Sequence, residues 1–345
     1  MSDVKILPMT QEVVPETTAV AEKAFGKMVR LILPKKNLWG FYAAKDDQVL
    51  GAVYIKEVAP KEGILEWIFV DPDAHGLSIG KQLAATAFDA MNERGLTRQF
   101  ALVRDDNTAS WNLFAKEGYK EVSVLKSLFG YHFKSFPERF FYSFASNYST
   151  WVKDERFEDV PLHPKRFSVL KTLAFAAWIG ASLSLFSLRG LDFFWIALAM
   201  VPAVTLIRMV VAFPFARRYG PVRYDAPQGG TPLAFIFGFI GTWWPTFGMY
   251  VPQEDYWKDH EFLPFAGPAR FASWMSLLGV FMGTYYLMPN AFASGLNFYL
   301  AFIIGVQMIP FFPMDGMDGN IVLQYSKLLY LAGVIISVVS LLVYY

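Results

Sequence analysis

Residues 70–83 read VDPDAHGLSIGKQL, and this stretch decides the fold of the first part of the chain. It joins GILEWIFV (63–70), a run rich in β-forming residues, to a segment with helical periodicity from Ile79 to Glu93. The N-terminus of such a helix offers free backbone N–H groups and a positive dipole end to an anion. The turn can therefore hold a pyrophosphate, although glycine turns also open many helices for structural reasons alone.

Strands and helices are predicted on both sides of this turn. A second helix is predicted over Ala109–Lys116 and ends at Gly118. The predicted strands are VKIL (4–7), WGFYAA (39–44), QVLGAVYIKEV (48–58), GILEWIFV (63–70), RQFALV (98–103), YKEVSVLKSLF (119–129) and ERFFYSFA (138–145). We therefore predict an α/β domain over residues 1–147, with a mixed central sheet and flanking helices.

Composition separates this domain from the rest of the 345-residue chain, because charged residues crowd into the first half and apolar runs into the second. The net charge of +1 gives no electrostatic case for nucleic acid as a partner. The absence of cysteine excludes disulfides and cysteine-ligated zinc. The N-terminus lacks an apolar signal core, so the residues near Met1 are expected to stay on the side where they are made.

The second part of the chain is predicted to be an α-helical, polytopic membrane domain over residues 167–345, after a polar juxtamembrane linker at 148–166. Its apolar stretches each approach the ~20 residues that span a bilayer. They are Val169–Leu188, Leu191–Phe213, Phe265–Met288, Ala291–Phe312 and Leu328–Tyr345. Leu233–Val251 is apolar but broken by glycines and a proline, so a re-entrant hairpin is predicted there.

Basic residues set the predicted orientation of these spans. Lys165 and Arg166 precede the first span, and Arg217 and Arg218 follow the second. By the positive-inside rule, both flanks and the N-terminal domain are expected in the cytoplasm.

The first part resembles the acetyltransferases of the GNAT family through two motifs. His75, Gly76, Ser78 and Gly80 fall on the acetyl-CoA signature, which is Val-x-Pro and then Arg/Gln-x-x-Gly-x-Gly/Ala. DNTASWNLFAKEGYKEV (106–122) resembles the later family motif. The resemblance implies acetyl-CoA as a substrate and implies that Val70 and the loop after it hold its pantetheine and pyrophosphate. The implied acetyl-CoA-binding residues are Phe69, Val70, His75, Gly76, Leu77, Ser78, Ile79, Gly80, Lys81, Asn107 and Phe114.

The same resemblance suggests catalytic residues. Glu66 is the candidate base for the acceptor amine, and the alternative is a strand glutamate that faces solvent. Phe114 stands where many members carry a tyrosine that protonates the leaving thiolate, and phenylalanine cannot donate a proton. Tyr119 or water then substitutes, or the domain is slow or only binds acetyl-CoA.

The second part resembles the membrane-embedded zinc proteases of the site-2 protease family. IGTWWPTFGMY (240–250), EFLPFAGPA (261–269) and VQMIPFFPMDGMDGNIVLQYSK (306–327) follow the family order. Pro310, Pro313, Asp315 and Gly316 match the late motif, with Gln307 in place of its Asn. In the family the Asp of this motif binds zinc.

The other zinc ligands of that family are missing. The run Ala216–Gly220 follows the segment that should carry His-Glu-x-x-His, but this segment reads RMVVA (208–212). No metal is therefore expected, and substitute ligation by His260 with Asp315 is the weaker alternative. Arg208 either forms an ion pair with Asp315 in place of the metal or extends to the cytoplasmic interface.

These observations favour a membrane-anchored transferase that moves an acetyl group from acetyl-CoA to an amine, with a proteolytically inactive membrane domain. The acceptor would be a membrane protein or a lipid headgroup. The alternative is a regulatory pseudoprotease that binds membrane helices, with the first domain as an acetyl-CoA sensor.

Overall fold

The computed structural model describes residues 4–35, 38–46, 48–74, 78–104, 107–122, 148–159, 169, 173, 176–177, 191–225, 248–253, 259–287, 291–310 and 317–344. The chain divides into two compact units. The N-terminal unit takes residues 1–103, 109–142 and 149–164, and the C-terminal unit takes 104–108, 143–148 and 165–345.

The N-terminal unit is built on a mixed sheet. Its described strands are β1 (Lys5–Pro8), β2 (Trp39–Lys45), β3 (Gln48–Ala59), β4 (Glu62–Val70), β5 (Arg98–Arg104), β6 (Lys120–Val122) and β7 (Tyr148–Lys153). They lie in the order β1-β2-β3-β4-β5-β7-β6. The first four strands pair antiparallel, β4 and β5 pair parallel, and β6 and β7 pair antiparallel. The predicted mixed sheet is thus confirmed.

Helices cover both faces of this sheet. They are α1 (Val14–Phe25), α2 (Ile79–Glu93) and α3 (Thr108–Lys116). One core packs α1 on β3 and β4 through Val20, Ala21, Tyr54 and Phe69. The other core packs α2 on the opposite face through Leu83, Phe88 and Met91. The predicted helix over Ile79–Glu93 is confirmed at both ends, whereas α1 was not among the predicted elements.

The strand β7 corrects the predicted end of the first domain. We expected residues 148–166 to be a linker, but Tyr148–Lys153 is the strand between β5 and β6. Trp151 and Val152 on this strand are fully buried. The boundary at residue 147 is therefore too early, because it would cut a strand out of the sheet. Of the predicted closing hairpin, with strands at 119–129 and 138–145, the structure describes only residues 119–122, of which Lys120–Val122 form β6.

The C-terminal unit is mainly helical. Its described elements are α4 (Leu191–Ala216), β8 (Val222–Asp225), β9 (Met249–Pro252), α5 (Asp259–Leu287), α6 (Ala291–Gln307), α7 (Asp318–Tyr325) and α8 (Lys327–Tyr344). The strands β8 and β9 form a two-stranded antiparallel ladder. The apolar stretches that begin near residues 191, 265, 291 and 328 are thus confirmed as helices.

Their passage through a membrane stays a prediction. Within the described residues one helix, Leu198–Tyr219, is long and apolar enough to cross a bilayer, while the apolar segments Leu296–Gln307 and Lys327–Val343 are shorter. Most of Val169–Leu188 and of the predicted re-entrant hairpin lies outside the described residues. The last residues of that hairpin form the strand β9.

Candidate active site

The turn after β4 is held in shape by Asp71. Its backbone N–H donates to Leu50 O at 2.7 Å, and its Oδ1 accepts the N–H of Asp73 at 3.0 Å. Its Oδ2 lies 2.8 Å from Nζ of Lys23 on α1. The Lys23 ammonium, followed by the Asp73 amide, lowers the pKa of the Asp71 carboxyl. Lys23 and Asp71 were not predicted as site residues, although a carboxylate at a strand end was a visible signal.

Glu66 lies at a β-bulge in β4. Leu65 pairs with Ile55 and Trp67 pairs with Tyr54, and these partners are adjacent on β3, so Glu66 is the extra residue. Glu66 is half-buried. A bulge turns the following side chains to the opposite faces from those that strict alternation predicts.

The residues after the bulge divide between the two faces. Phe69 is buried in the core under α1, where its ring lies 6.1 Å from that of Phe25. Val70 packs on the side of α2 instead. The side chain of Phe69 is thus a core group, and the backbone is what this position can offer to a ligand.

The backbone of β4 beyond the bulge is open on one side. The parallel ladder between β4 and β5 runs from Glu62 to Leu65 and from Arg98 to Ala101. Within the described residues it ends there. The peptide groups of residues 68–70 lie beyond the end of this ladder, and on this side they can pair with an extended ligand.

The N-terminus of α2 follows this open segment. Ser78 has a left-handed backbone with φ of 52°, and its carbonyl accepts the amides of Lys81 and Gln82. Ile79 is buried and fixes the helix start against the core, while Ser78 and Lys81 are exposed. A Cβ added to Gly80 would meet Cγ2 of Val70 at 3.7 Å, an ordinary contact. His75, Gly76 and Leu77, the remaining residues of the predicted loop, lie outside the described residues.

The predicted proton donor Tyr119 lies in the core. Its side chain is fully buried, and its hydroxyl donates to Oε1 of Gln99 at 2.7 Å. Burial raises the pKa of Tyr119 well above its ordinary value. Phe114 is buried beside it, with ring centroids 5.1 Å apart. Both residues therefore act as core packing groups, and this geometry argues against Tyr119 as an acid for the thiolate.

Asn107 lies just before α3, and its backbone N–H donates to the carbonyl of Arg104 at 3.0 Å. The side chain is half-buried. Its predicted contact with pantetheine stays a prediction.

In the C-terminal unit, Arg208 forms an ion pair with Asp318, which was not among its predicted partners, and the predicted pair with Asp315 stays a prediction. Its Nη2 lies 2.7 Å from Oδ2 of Asp318, and Nη1 of Arg270 lies 2.9 Å from Oδ1 of the same carboxylate. Asp318 is fully buried, and the two arginines are nearly so. The prediction that Arg208 extends to the membrane interface is wrong, because α4, α5 and α7 enclose its side chain. Asp315 lies outside the described residues.

The sequence did not lead us to predict Asp318 as the partner of Arg208, or Arg270 as the second arginine on the same carboxylate. The segment PMDGMDG (313–319) contains two Asp-Gly pairs, and the family resemblance selected the first of them. The side chain of His260 is 77% exposed, and no cluster of metal-binding side chains occurs in the part of the chain that the structure describes.

Comparison with known proteins identifies the first domain. Residues 9–119 match the sequence model of the Acetyltransferase (GNAT) family. Over 92 residues the chain is 30% identical to the mycothiol acetyltransferase of Geodermatophilus obscurus, covering 25% of this chain and 30% of the relative. It is also 30% identical over 92 residues to the mycothiol acetyltransferase of Cellulomonas flavigena, covering 24% and 26%.

The chain thus spans less than a third of the length of these curated relatives. Among solved structures, an IAA acetyltransferase from Bacillus cereus is 20% identical, with a TM-score of 0.32, covering 35% of this chain and 79% of that one. The family match and the mixed sheet with its flanking helices identify residues 9–119 as a domain of the GNAT acetyltransferase family.

Proposed function

We propose that the chain is a membrane-anchored N-acetyltransferase that uses acetyl-CoA as its acetyl donor. The observation that carries this proposal is the open edge of β4 leading to the N-terminus of α2, within a domain that matches the GNAT family. Pantetheine contains two amides that can pair with the peptide groups of residues 68–70, beyond the end of the ladder with β5. The pyrophosphate would lie against the first-turn amides of α2 and the preceding loop His75–Ser78.

Transfer needs one proton removed from the acceptor and one returned to the donor. The amine nitrogen attacks the thioester carbonyl carbon, the C–S bond breaks, and the acetyl group becomes an amide. We assign Glu66 as the group that takes the amine proton, because the bulge sets it at the start of the open segment of β4. The thiolate takes its proton from water, since the hydroxyl of Tyr119 is buried against Gln99.

The membrane anchor is the C-terminal unit in this proposal. Four of its described helices carry large apolar side chains that are more than 40% exposed, which is unusual for a surface in water. They include Trp195 and Val210 on α4, Leu287 on α5, Phe298 and Phe302 on α6, and Leu328, Leu331, Ile335, Val339 and Leu342 on α8. A lipid environment would cover them. By the distribution of basic residues, the transferase domain would lie in the cytoplasm, where acetyl-CoA is available.

We also propose that this unit has no protease activity. Its likeness to site-2 proteases rests on sequence motifs, and Arg208 occupies the position of the first expected zinc ligand. Because Arg208 donates to Asp318, the position is committed to an ion pair rather than to a metal. In this proposal the unit serves as an anchor, and the acceptor is a membrane protein or an amino-headgroup lipid.

Calorimetry of the full-length protein with acetyl-CoA tests the cofactor site. Gly80→Glu should abolish binding, because a carboxylate would stand beside the pyrophosphate, while the 3.7 Å contact with Val70 lets the helix form normally. Ala85→Glu adds the same charge at an exposed position further along α2 and should bind like the parent. If Gly80→Glu and the parent bound acetyl-CoA with equal affinity, acetyl-CoA would not bind at the N-terminus of α2. Incubation with acetyl-CoA and membrane extract, followed by mass spectrometry, would then identify the acetylated acceptor.

A further inference from the structure

The C-terminal unit contains a cavity that the acetyl transfer does not use. It has a volume of about 270 Å³ and lies among α4, β8, β9, α5 and α7. This is roughly nine times the ~30 Å³ that one water molecule takes in the liquid. Every charged residue among its described lining is basic, and Arg208 and Arg270 contribute to it. A cavity of this size and charge fits a small anion better than it fits water alone.

Two polar groups in the lining, the Tyr224 hydroxyl and Nη2 of Arg270, are poorly satisfied by the described residues. The hydroxyl of Tyr224 is buried and has no hydrogen-bond partner among the described residues, which is costly for a buried hydroxyl. The side chain of Arg270 is 8% exposed, and its Nη2 donates to the sulfur of Met249 at 2.8 Å. A thioether is a weak acceptor for a guanidinium. An anionic oxygen in the cavity would serve both groups better.

Much of the remaining lining is apolar, although Tyr250, His260, Ser273 and Gln324 also contribute to it. Phe262, Leu263, Ala266 and Ala269 from one side of α5 line the cavity together with Val251 of β9. Such walls suit a short hydrocarbon chain rather than a fully charged metabolite. The cavity therefore combines a cationic, hydrogen-bonding part with a hydrocarbon-like part.

We propose that this cavity is a ligand site for an anionic amphiphile, a short alkyl chain with one carboxylate or phosphate head. The head lies at Arg270 and Tyr224, with Arg208 behind them, and the chain lies against Phe262, Leu263 and Ala266. Asp318 fixes the two guanidinium groups through its own ion pairs. The site is separate from acetyl transfer and does not depend on it.

Native mass spectrometry of the full-length protein in a non-ionic detergent tests this site with four probes. Decanoate and decyl phosphate carry both the chain and an anionic head, decanol carries the chain alone, and inorganic phosphate carries the charge alone. We expect one equivalent of decanoate or decyl phosphate to be retained, with decanol and phosphate bound at least about tenfold more weakly. The stronger of the two amphiphiles identifies the head group. Equal retention of decanol, or no retention of either anion, would overturn the proposal.

Three variants and a control locate the binding. Arg270→Gln should weaken decanoate about 10- to 100-fold, the effect of a lost charge-assisted hydrogen bond, and Tyr224→Phe should weaken it less. Ala266→Phe should block binding by filling the cavity. Because it leaves the ion pairs of Asp318 intact, it still tests the site if Arg270→Gln does not fold. Arg223→Gln removes a neighbouring positive charge on β8 from a residue that does not line the cavity, and it should bind like the parent. Parent-like binding by Ala266→Phe would place the ligand elsewhere and refute the site.

Discussion

Replacing Asp318 by asparagine should strongly destabilise the C-terminal unit. The carboxylate is fully buried and binds Arg208 at 2.7 Å and Arg270 at 2.9 Å. Asparagine keeps the shape but leaves two guanidinium groups in the core without a counter-charge. Each lost charge-assisted hydrogen bond is worth ~1.5–3 kcal/mol, and breaking a buried ion pair by removing one partner costs about 3–5 kcal/mol.

The position of Asp318 in its helix adds to this effect. Asp318 is the first residue of α7, where the positive end of the helix dipole stabilises a negative charge. Its backbone N–H donates to Oε1 of Gln307 at 2.9 Å. The asparagine variant keeps the bond to Gln307 and loses the charge. We therefore expect a loss of about 3–5 kcal/mol, from the ion pairs first and the dipole second.

Thermal unfolding of the purified full-length protein measures the loss. For a unit of this size 1 kcal/mol moves the midpoint by ~2–4 °C, so the unfolding of the C-terminal unit should shift down by about 6–20 °C. Replacing all three charges together, by Arg208→Met, Asp318→Leu and Arg270→Met, should recover most of the loss, since no charge then remains buried. Arg223→Gln, outside the cluster, is the matched control. A midpoint for Asp318→Asn within about 1 °C of the parent would show that these charges are not buried together.

Four further outcomes are expected. Glu66→Gln should lower the acetylation rate by ~10²–10⁴-fold and leave the acetyl-CoA affinity unchanged. The control Glu57→Gln, at an exposed position of β3, should leave the rate unchanged. A Glu66→Gln variant as fast as the parent would show that another group is the base. Tyr119→Phe should leave the rate unchanged and cost ~1–3 kcal/mol in denaturant unfolding, because Gln99 loses its donor; a large rate loss at unchanged stability would make Tyr119 the acid. Because the folded-state pKa of Asp71 is lowered, its stabilisation is present above the unfolded pKa of ~3.9 and is lost as pH falls through the folded pKa. The stability difference between the parent and Asp71→Asn should accordingly vanish in acid, and a constant difference down to pH 2 would contradict this. Metal analysis should find no stoichiometric zinc, and one equivalent per chain would reverse our interpretation of Arg208.

Local patterns predicted the elements around the acetyl-CoA site. The apolar spacing from Ile79 to Glu93 is that of an amphipathic helix, and the structure has α2 over the same residues. The run that ends at Val70 is rich in apolar and β-branched residues, which predicts a strand, and the structure has β4 there. These elements are determined by neighbours within a few residues, which a single sequence displays.

The features that escaped prediction depend on distant partners. The bulge at Glu66 is visible only in the register of β4 against β3. The alternation of side chains along a strand does not show from the sequence where one extra residue is inserted. The ion pairs of Asp318 with Arg208 and Arg270 depend on how α4, α5 and α7 meet in the fold. Arg270 also lies inside a predicted span, as Arg208 does, but one arginine in an apolar stretch does not reveal its partner.

The place of β7 in the sheet also sets the order in which the N-terminal domain can form. Its neighbours β5 and β6 are complete by Val122, but they are joined only through a strand that ends at Lys153. At a synthesis rate of ~5–20 residues per second, the roughly 30 residues from 123 to 153 take about 2–6 s to make. During this interval Phe100 and Val122 lack Val152, with which they form a buried cluster. The nascent domain would thus expose an apolar strand edge for seconds, and a chaperone that binds such edges should associate with it until residue 153 is available.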